Sequence, residues 1–445
     1  MPASPRDHSA RTQRLMEQAN SLPAGDESRL SYPGWKIVLA GFFGVMVSFS
    51  AIVPYTFSLF LKPLSLAFGW HREAISAGFS VASLTVAVSA PVLGCLLDRF
   101  STRRIILPCI IVFSFAYASL GLLTPHLIQF YAAFFFMGLV GGGTSFLGYS
   151  RVVSTWFAHR RGIALSIMIA GSACGAMILP VIAQAAITRY GWRAAFVLLG
   201  CLPMVFGFPL TAFFVRDRRT EQRNNLSLEV DEPVSIALRG SIFWIIIATV
   251  CLSAIGVGGA IGHLSALLTD RGLSSQGAAY AIAMIGITGL LGRFFVGSLL
   301  DRFFGPRVYQ TMLLLEVAGI ALLAVAHTQT AAILATSLIG FGTGGEADVT
   351  PYLIGRYFGL KRLSTLYALT WTSHSIGAAI GPLVIGWLFD SLGSYRTATI
   401  QLLALPTLIP CVLMLMLPRY PDRRDSDEPA VKSFAEASSF EILPD

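Results

Sequence analysis

Charge is what this sequence has least of. Charged residues make up 13% of its 445 positions and hydrophobic ones 54%, whereas a water-soluble domain usually carries about 25% charged residues. So little charge over such a length excludes an ordinary soluble enzyme. The six cysteines (Cys95, Cys109, Cys174, Cys201, Cys251 and Cys411) fall within or at the ends of apolar segments. They read as small packing residues rather than as a disulfide framework or a metal site. The glycine run Gly141–Gly143 has no following Lys-Ser/Thr and lies inside an apolar stretch, and no phosphate-binding loop occurs elsewhere. ATP-driven pumping is therefore excluded. No nucleophile–base pair or metal cluster stands out, so the chain does not read as an enzyme and calls for no cofactor. The N-terminal stretch shows no signal-peptide pattern, which leaves the first apolar segment to direct insertion.

What is present is a succession of twelve apolar segments between residues 35 and 417, each about twenty residues or more, the length that spans a bilayer as a helix. An even number puts both termini on one side. Loops on that side, with the two tails, hold 25 of the 32 Lys and Arg; the opposite loops hold six (Lys62, Arg72, Arg189, Arg193, Arg271 and Arg396), and Arg293 lies within a segment. The excess of basic residues marks the cytoplasmic side. The net charge of +8 thus reports topology, not nucleic-acid binding. The expected organisation is a disordered cytoplasmic N-tail at 1–31, a six-helix bundle at 32–215, a cytoplasmic linker at 216–240, a second bundle at 241–417, and a cytoplasmic tail at 418–445. The fold class is all-α, with two pseudo-symmetric six-helix bundles.

The two bundles are copies. Gly94-Cys-Leu-Leu-Asp98-Arg99 returns as Gly297-Ser-Leu-Leu-Asp301-Arg302. Gly69 matches Gly272 at an offset of 203, Gly175 and Pro180 match Gly377 and Pro382 at 202, and Gly191 matches Gly393 at 202. A fixed register across separate segments is an architectural signal. Duplicated halves with a site between them are a common plan for secondary transporters.

In each repeated turn an aspartate lies just past the end of a helix, where a negative charge opposes the helix dipole unless it has a partner. Asp98, Arg99, Arg103, Asp301 and Arg302 are therefore expected to gate the cytoplasmic side, with plain topology signalling by the arginines as the alternative. Small residues crowd segments 4, 5 and 11 and let helix backbones approach closely in lipid.

The halves differ at a few charged positions. Arg293 in segment 8 corresponds to Ala90. It lies eight residues before Asp301, about 12 Å of helix at about 1.5 Å per residue, too deep to snorkel easily. Its partner is either a substrate carboxylate, bound as a bidentate fork, or an acid of a neighbouring segment: Glu316, Glu346 or Asp348. Glu346 and Asp348 stand about 200° apart around their helix and cannot share a face. They and His374 are candidates for proton or charge coupling. Tyr55, Tyr149, Tyr352 and Trp371 are candidates to line the substrate pocket, with ordinary packing as the alternative for each.

Over residues 32–417 the pattern resembles the major facilitator superfamily, whose signature is the doubled Gly-x-x-x-Asp-Arg turn. Within it, four stretches resemble the monocarboxylate porters and oxalate/formate antiporters: Pro54-Tyr55-Thr-Phe-Ser-Leu-Phe60, Phe68-Gly69-Trp70, Trp156-Phe157-Ala-His-Arg160-Arg161-Gly162, and Gly292-Arg293-Phe-Phe-Val-Gly297. The resemblance implies that Arg293 binds the substrate carboxylate. Two proton-coupling residues of the animal carriers are absent: Tyr55 replaces a lysine and Gly289 an aspartate. The lysine of the oxalate exchangers in segment 11 is also absent, leaving His374 as that segment's basic side chain. The expected function is alternating-access transport of small organic anions, mono- or dicarboxylates, across the inner membrane, by symport with protons or by antiport. The expected partners are the substrate and membrane lipid, with no nucleic acid, and the chain is expected to be a monomer. A multidrug or neutral-metabolite exporter of the same fold is the first rival reading, and a transporter-like sensor the second.

Overall fold

A computed structural model describes Arg29 and residues 32–157, 160–216, 235–300, 302–358, 363–395 and 397–420. Among the described residues the chain is helical, with no strand. Nine helical stretches are each long and apolar enough to cross a membrane. One of them, Gly162–Phe214, is two helices joined at Gly191, where φ is 82° and ψ 166°. Gln329–Phe358, which carries Glu346, Asp348 and Arg356, and Thr397–Leu413 complete a set of twelve.

Numbered along the chain, these are α1 Gly34–Phe68, α2 Arg72–Arg99, α3 Thr102–Ser119, α4 Leu127–Trp156, α5 and α6 on either side of Gly191, α7 Ser241–Asp270, α8 Ser275–Leu300, α9 Gly305–Val325, α10 Gln329–Phe358, α11 Leu363–Leu392 and α12 Thr397–Leu413. Helices α1–α6 form one bundle and α7–α12 the other. The bundles meet chiefly where α2 packs on α11 and α5 on α8. The proposed linker falls largely on residues 217–234, outside the described residues, and both tails lie mostly outside them as well.

The repeat has a physical basis in its glycines. The positive-φ residues among those described are Gly69, Gly191, Gly272 and Gly393, the same two pairs that the sequence register matches. Each ends or joins helices on the face opposite the termini, the far side. A second correspondence lies inside the bundles. A side chain at Gly138 of α4 would meet the carbonyl of Ala82 on α2, and one at Gly340 of α10 would meet the carbonyl of Ile285 on α8. The same close helix approach is built twice, as lipid-embedded packing favours.

Two helices run further than their hydropathy indicates. Apolar character suggests that the first segment ends near residue 59 and the seventh near 263, yet α1 continues to Phe68 and α7 to Asp270. The polar ends are held by each other: Lys62 Nζ lies 2.6 Å from Asp270 Oδ1. Pairing across the bundles allows charge to remain on a helix past its apolar stretch.

Candidate functional site

Ionisable groups inside the membrane helices gather into three places. The first surrounds Arg293, which is half-buried on α8. It stands in electrostatic range of Tyr55 on α1, Asp348 on α10 and Tyr367 on α11. Tyr55 belongs to the other half, so Arg293 faces the seam between the bundles. Among the described residues no carboxylate comes within ion-pair distance of Arg293. Its guanidinium is therefore not neutralised at contact by any described acid, although the nearby Asp348 provides a loose counter-charge.

The second place lies inside the second bundle. Glu346 Oε1 accepts a hydrogen bond from Tyr309 Oη at 2.8 Å. Ser253 Oγ lies 3.1 Å from Glu346 Oε2 and 3.0 Å from Glu316 Oε2. Glu346 and Asp348 thus point in different directions, as their angular separation requires. Asp348 turns toward the seam and Glu346 toward Ser253 on α7 and Tyr309 on α9. Glu316 is not a partner of Arg293. It is fully buried at the back of this cluster, and its Oε1 has no hydrogen-bond partner among the described residues.

The third place is the far side, where the halves are tied together. Arg72 Nη1 lies 2.8 Å from Asp270 Oδ2, and Lys62 shares the same carboxylate. Asp390 at the end of α11 accepts the backbone N–H groups of Arg72 at 3.2 Å and Glu73 at 2.8 Å. The Arg72 guanidinium sits 3.7 Å from the centroid of Phe389. Slightly deeper, His263 Nε2 lies 2.9 Å from both Ser76 Oγ and the Pro382 carbonyl, and its Nδ1 lies 2.7 Å from Tyr395 Oη. A carbonyl only accepts, so Nε2 carries the hydrogen and Tyr395 donates to Nδ1 of the neutral ring. Ser80 Oγ donates to the carbonyl of Ala379 at 2.5 Å. These hydrogen bonds and ion pairs tie the two halves together at the far end.

The other residues singled out from the sequence are distributed as follows. Trp371 lies edge-on to Phe146 of the first bundle at 5.1 Å and stacks with His374 at 5.2 Å, forming an aromatic contact across the seam. Tyr149 does not join Arg293. It is 1% exposed inside the first bundle, its hydroxyl 2.8 Å from Thr211 Oγ1, in space left by Gly41 and Gly44 of α1. Tyr352 also stands apart, donating to the Leu300 carbonyl at 3.3 Å near the termini side. Arg99, Arg103 and Arg302 are exposed there. Asp301 lies outside the described residues, as does the side chain of Asp98.

Sequence reasoning missed the far-side ties, Ser253, Tyr309, Tyr367 and His263. One signal was available for the ties: Lys62 and Arg72 lie in the first half, and Asp270 and Asp390 in the second. Complementary charges at the same end of two repeats are a sign of pairing across them.

A family model described as the Major Facilitator Superfamily matches residues 37–345 and 294–443. The chain is 26% identical over 347 residues to the uncharacterized MFS-type transporter YhjX of Escherichia coli (strain K12), covering 75% of this chain and 84% of that protein. It is 24% identical over 376 residues to monocarboxylate transporter 13 of Rattus norvegicus, covering 82% and 84%. Among solved structures, a bacterial homolog of the human lysosomal transporter Spinster, in an inward-facing and occupied conformation, superposes with a TM-score of 0.69 at 14% identity, covering 88% of this chain and 97% of that one. That likeness concerns the fold alone.

Proposed function

The chain belongs to the major facilitator superfamily and is a multi-pass membrane transporter rather than an enzyme, and from that premise we propose that it carries small organic anions, mono- or dicarboxylates, by alternating access. The single observation behind this reading is Arg293: an intramembrane guanidinium at the seam, in range of Tyr55 from the opposite half, with no described carboxylate at ion-pair distance. A charge at that depth with no contacting counter-ion is costly, and a carboxylate entering between the halves relieves it. Arg offers two parallel N–H donors to that carboxylate. Tyr55 and Tyr367 supply hydroxyls beside it, and the Trp371–His374 stack provides apolar surface. Asp348 holds the counter-charge when the site is empty, and His374 is a further candidate for it. The monocarboxylate relative supports the substrate class. In this reading the far-side ties form one gate. Asp98, Arg99, Arg103, Asp301 and Arg302 serve the other, in a monomer in the inner membrane with both termini cytoplasmic.

The test is counterflow of radiolabelled mono- and dicarboxylates in proteoliposomes. Arg293→Lys keeps the charge but loses the fork. It should cut carboxylate exchange by about tenfold to a hundredfold, the worth of one charge-assisted hydrogen bond of about 1.5–3 kcal/mol, with an unchanged size-exclusion profile. Unchanged exchange removes Arg293 from the site. Thermal stabilisation by lipophilic cations but not by organic acids transfers the protein to the multidrug reading.

A further inference from the structure

The two buried glutamates of the second bundle are not at ion-pair distance from Arg293, and the first bundle is built without acids at the matching positions. At the matching offsets the first bundle has Phe113 (203) and Thr144 (202), both uncharged. Glu316 is fully buried and Glu346 is 9% exposed. They approach each other through a single hydroxyl, Ser253 Oγ, at 3.0 and 3.1 Å. A serine has one hydrogen to donate. It cannot satisfy two ionised carboxylates, so at least one carboxyl proton completes the set. The distances fit one chain of donors: Glu316 O–H to Ser253 Oγ, Ser253 O–H to Glu346 Oε2, and Tyr309 O–H to Glu346 Oε1.

Among the described residues, the groups facing this cluster from the surrounding helices carry no compensating positive charge. They are Tyr309 of α9, Cys411 of α12 and Tyr367 of α11. Tyr367 is also in electrostatic range of Arg293 and Asp348. A carboxylate here is held by two hydroxyls and no contacting cation. In a medium that penalises buried charge, a second proton is readily taken up. Such protons belong to the pair, not to either residue alone.

We propose that Glu316 and Glu346 form one proton-binding site that cycles between two protons and one, coupling movement of the organic anion to movement of a proton. Release breaks one carboxyl O–H bond and passes the proton to water by way of Glu346, the more exposed member. The remaining negative charge rests on Glu346, stabilised by the Tyr309 and Ser253 hydroxyls. Uptake reverses the step. The site is distinct from Arg293 but connected to it through Tyr367, which lies in range of Glu346, Asp348 and Arg293.

The coupling rests on the organic-anion reading, and two measurements separate the two. In proteoliposomes, a gradient of one pH unit drives about tenfold accumulation of a monoanion carried with one proton. Glu346→Gln should abolish that accumulation while retaining counterflow at equal pH, which needs no net proton movement. Ser253→Ala removes a donor from the ionised form and should move the pH midpoint of gradient-driven transport upward. Wild-type carboxylate transport indifferent to the pH gradient overturns the proposal, as does gradient-driven accumulation that survives in Glu346→Gln. If the wild type moves no carboxylate, the anion reading fails alone, and infrared difference spectra of the substrate-free protein between acid and alkaline pH decide the proton site. A carboxyl band that titrates in the wild type and is missing from Glu346→Gln supports it; spectra identical in both overturn it.

Discussion

The carboxylate of Asp390 sits 2.8 Å from the backbone nitrogen of Glu73, so that the last turn of α11 caps the first turn of α2 in the opposite bundle. A helix N-terminus normally finds its cap in the residue just before it. Here His71 provides no side-chain cap, and the acceptor arrives from more than three hundred residues away. The N–H groups of Arg72 and Glu73 are thus capped only while the two halves stay together at the far side. Helix-dipole stabilisation becomes a term in the conformational equilibrium.

Asp390→Ala should therefore favour opening of the far side. A lost cap is worth about 0.5–2 kcal/mol, which shifts the closed-to-open ratio by about twofold to thirtyfold. Spin labels at Thr124 and His327, exposed far-side loop positions of the two halves, in a background without the exposed Cys95 and Cys201, should show a grown long-distance population. Asp270→Asn, which releases both Lys62 and Arg72, should shift it in the same direction. Distance distributions that match the parent protein in both variants would show that these ties do not hold the gate.

If Arg293 binds a carboxylate as proposed, Asp348 and the substrate compete for the same guanidinium. At an effective dielectric of about 20, a charge about 8–16 Å away contributes on the order of 1–2 kcal/mol. Asp348→Asn is expected to tighten equilibrium binding of an organic anion by about tenfold, because the empty site loses its counter-charge. Thermal stability without ligand should fall, since Arg293 is left without its nearby acid. Titration calorimetry and melting curves read both effects. Weaker binding in Asp348→Asn would place Asp348 in direct support of the substrate, not in competition with it.

The sequence reveals local and repeated features far better than features made by meeting helices. Gly69, Gly191, Gly272 and Gly393 were visible as two matched pairs because each satisfies a local backbone demand. Arg293 was visible because one charge in an apolar run is conspicuous in any arrangement. The Glu316–Glu346 pair was not, since the two acids lie thirty residues apart on different helices and become a unit only through Ser253 of a third. Tyr149 was ambiguous for a related reason. A buried tyrosine can face a pocket or a hydroxyl within its own bundle, and Thr211 supplies that hydroxyl. The far-side ties depend on how the halves meet, which no periodicity within one half encodes.

The glycines serve two different demands, and substitution separates them. Gly138 and Gly340 are needed for space: a methyl group at either would strike a neighbouring helix carbonyl, that of Ala82 or Ile285. Alanine there should destabilise by about 1–3 kcal/mol, as overpacking does, and to a similar degree in the two halves. Gly69 and Gly191 are needed for conformation, and nothing stands within 4 Å of an added Cβ at either. Gly69, at φ 68° and ψ 18°, ends α1 in the left-handed region, which asparagine also tolerates. Gly191, at φ 82° and ψ 166°, occupies a region that is essentially glycine's alone. Gly69→Asn should therefore melt close to the parent protein, while Gly191→Asn should lose about 1–3 kcal/mol. Thermal unfolding in detergent ranks the four variants. Equal melting of Gly69→Asn and Gly191→Asn would mean that the α5–α6 junction relaxes to a different backbone conformation when its glycine is replaced.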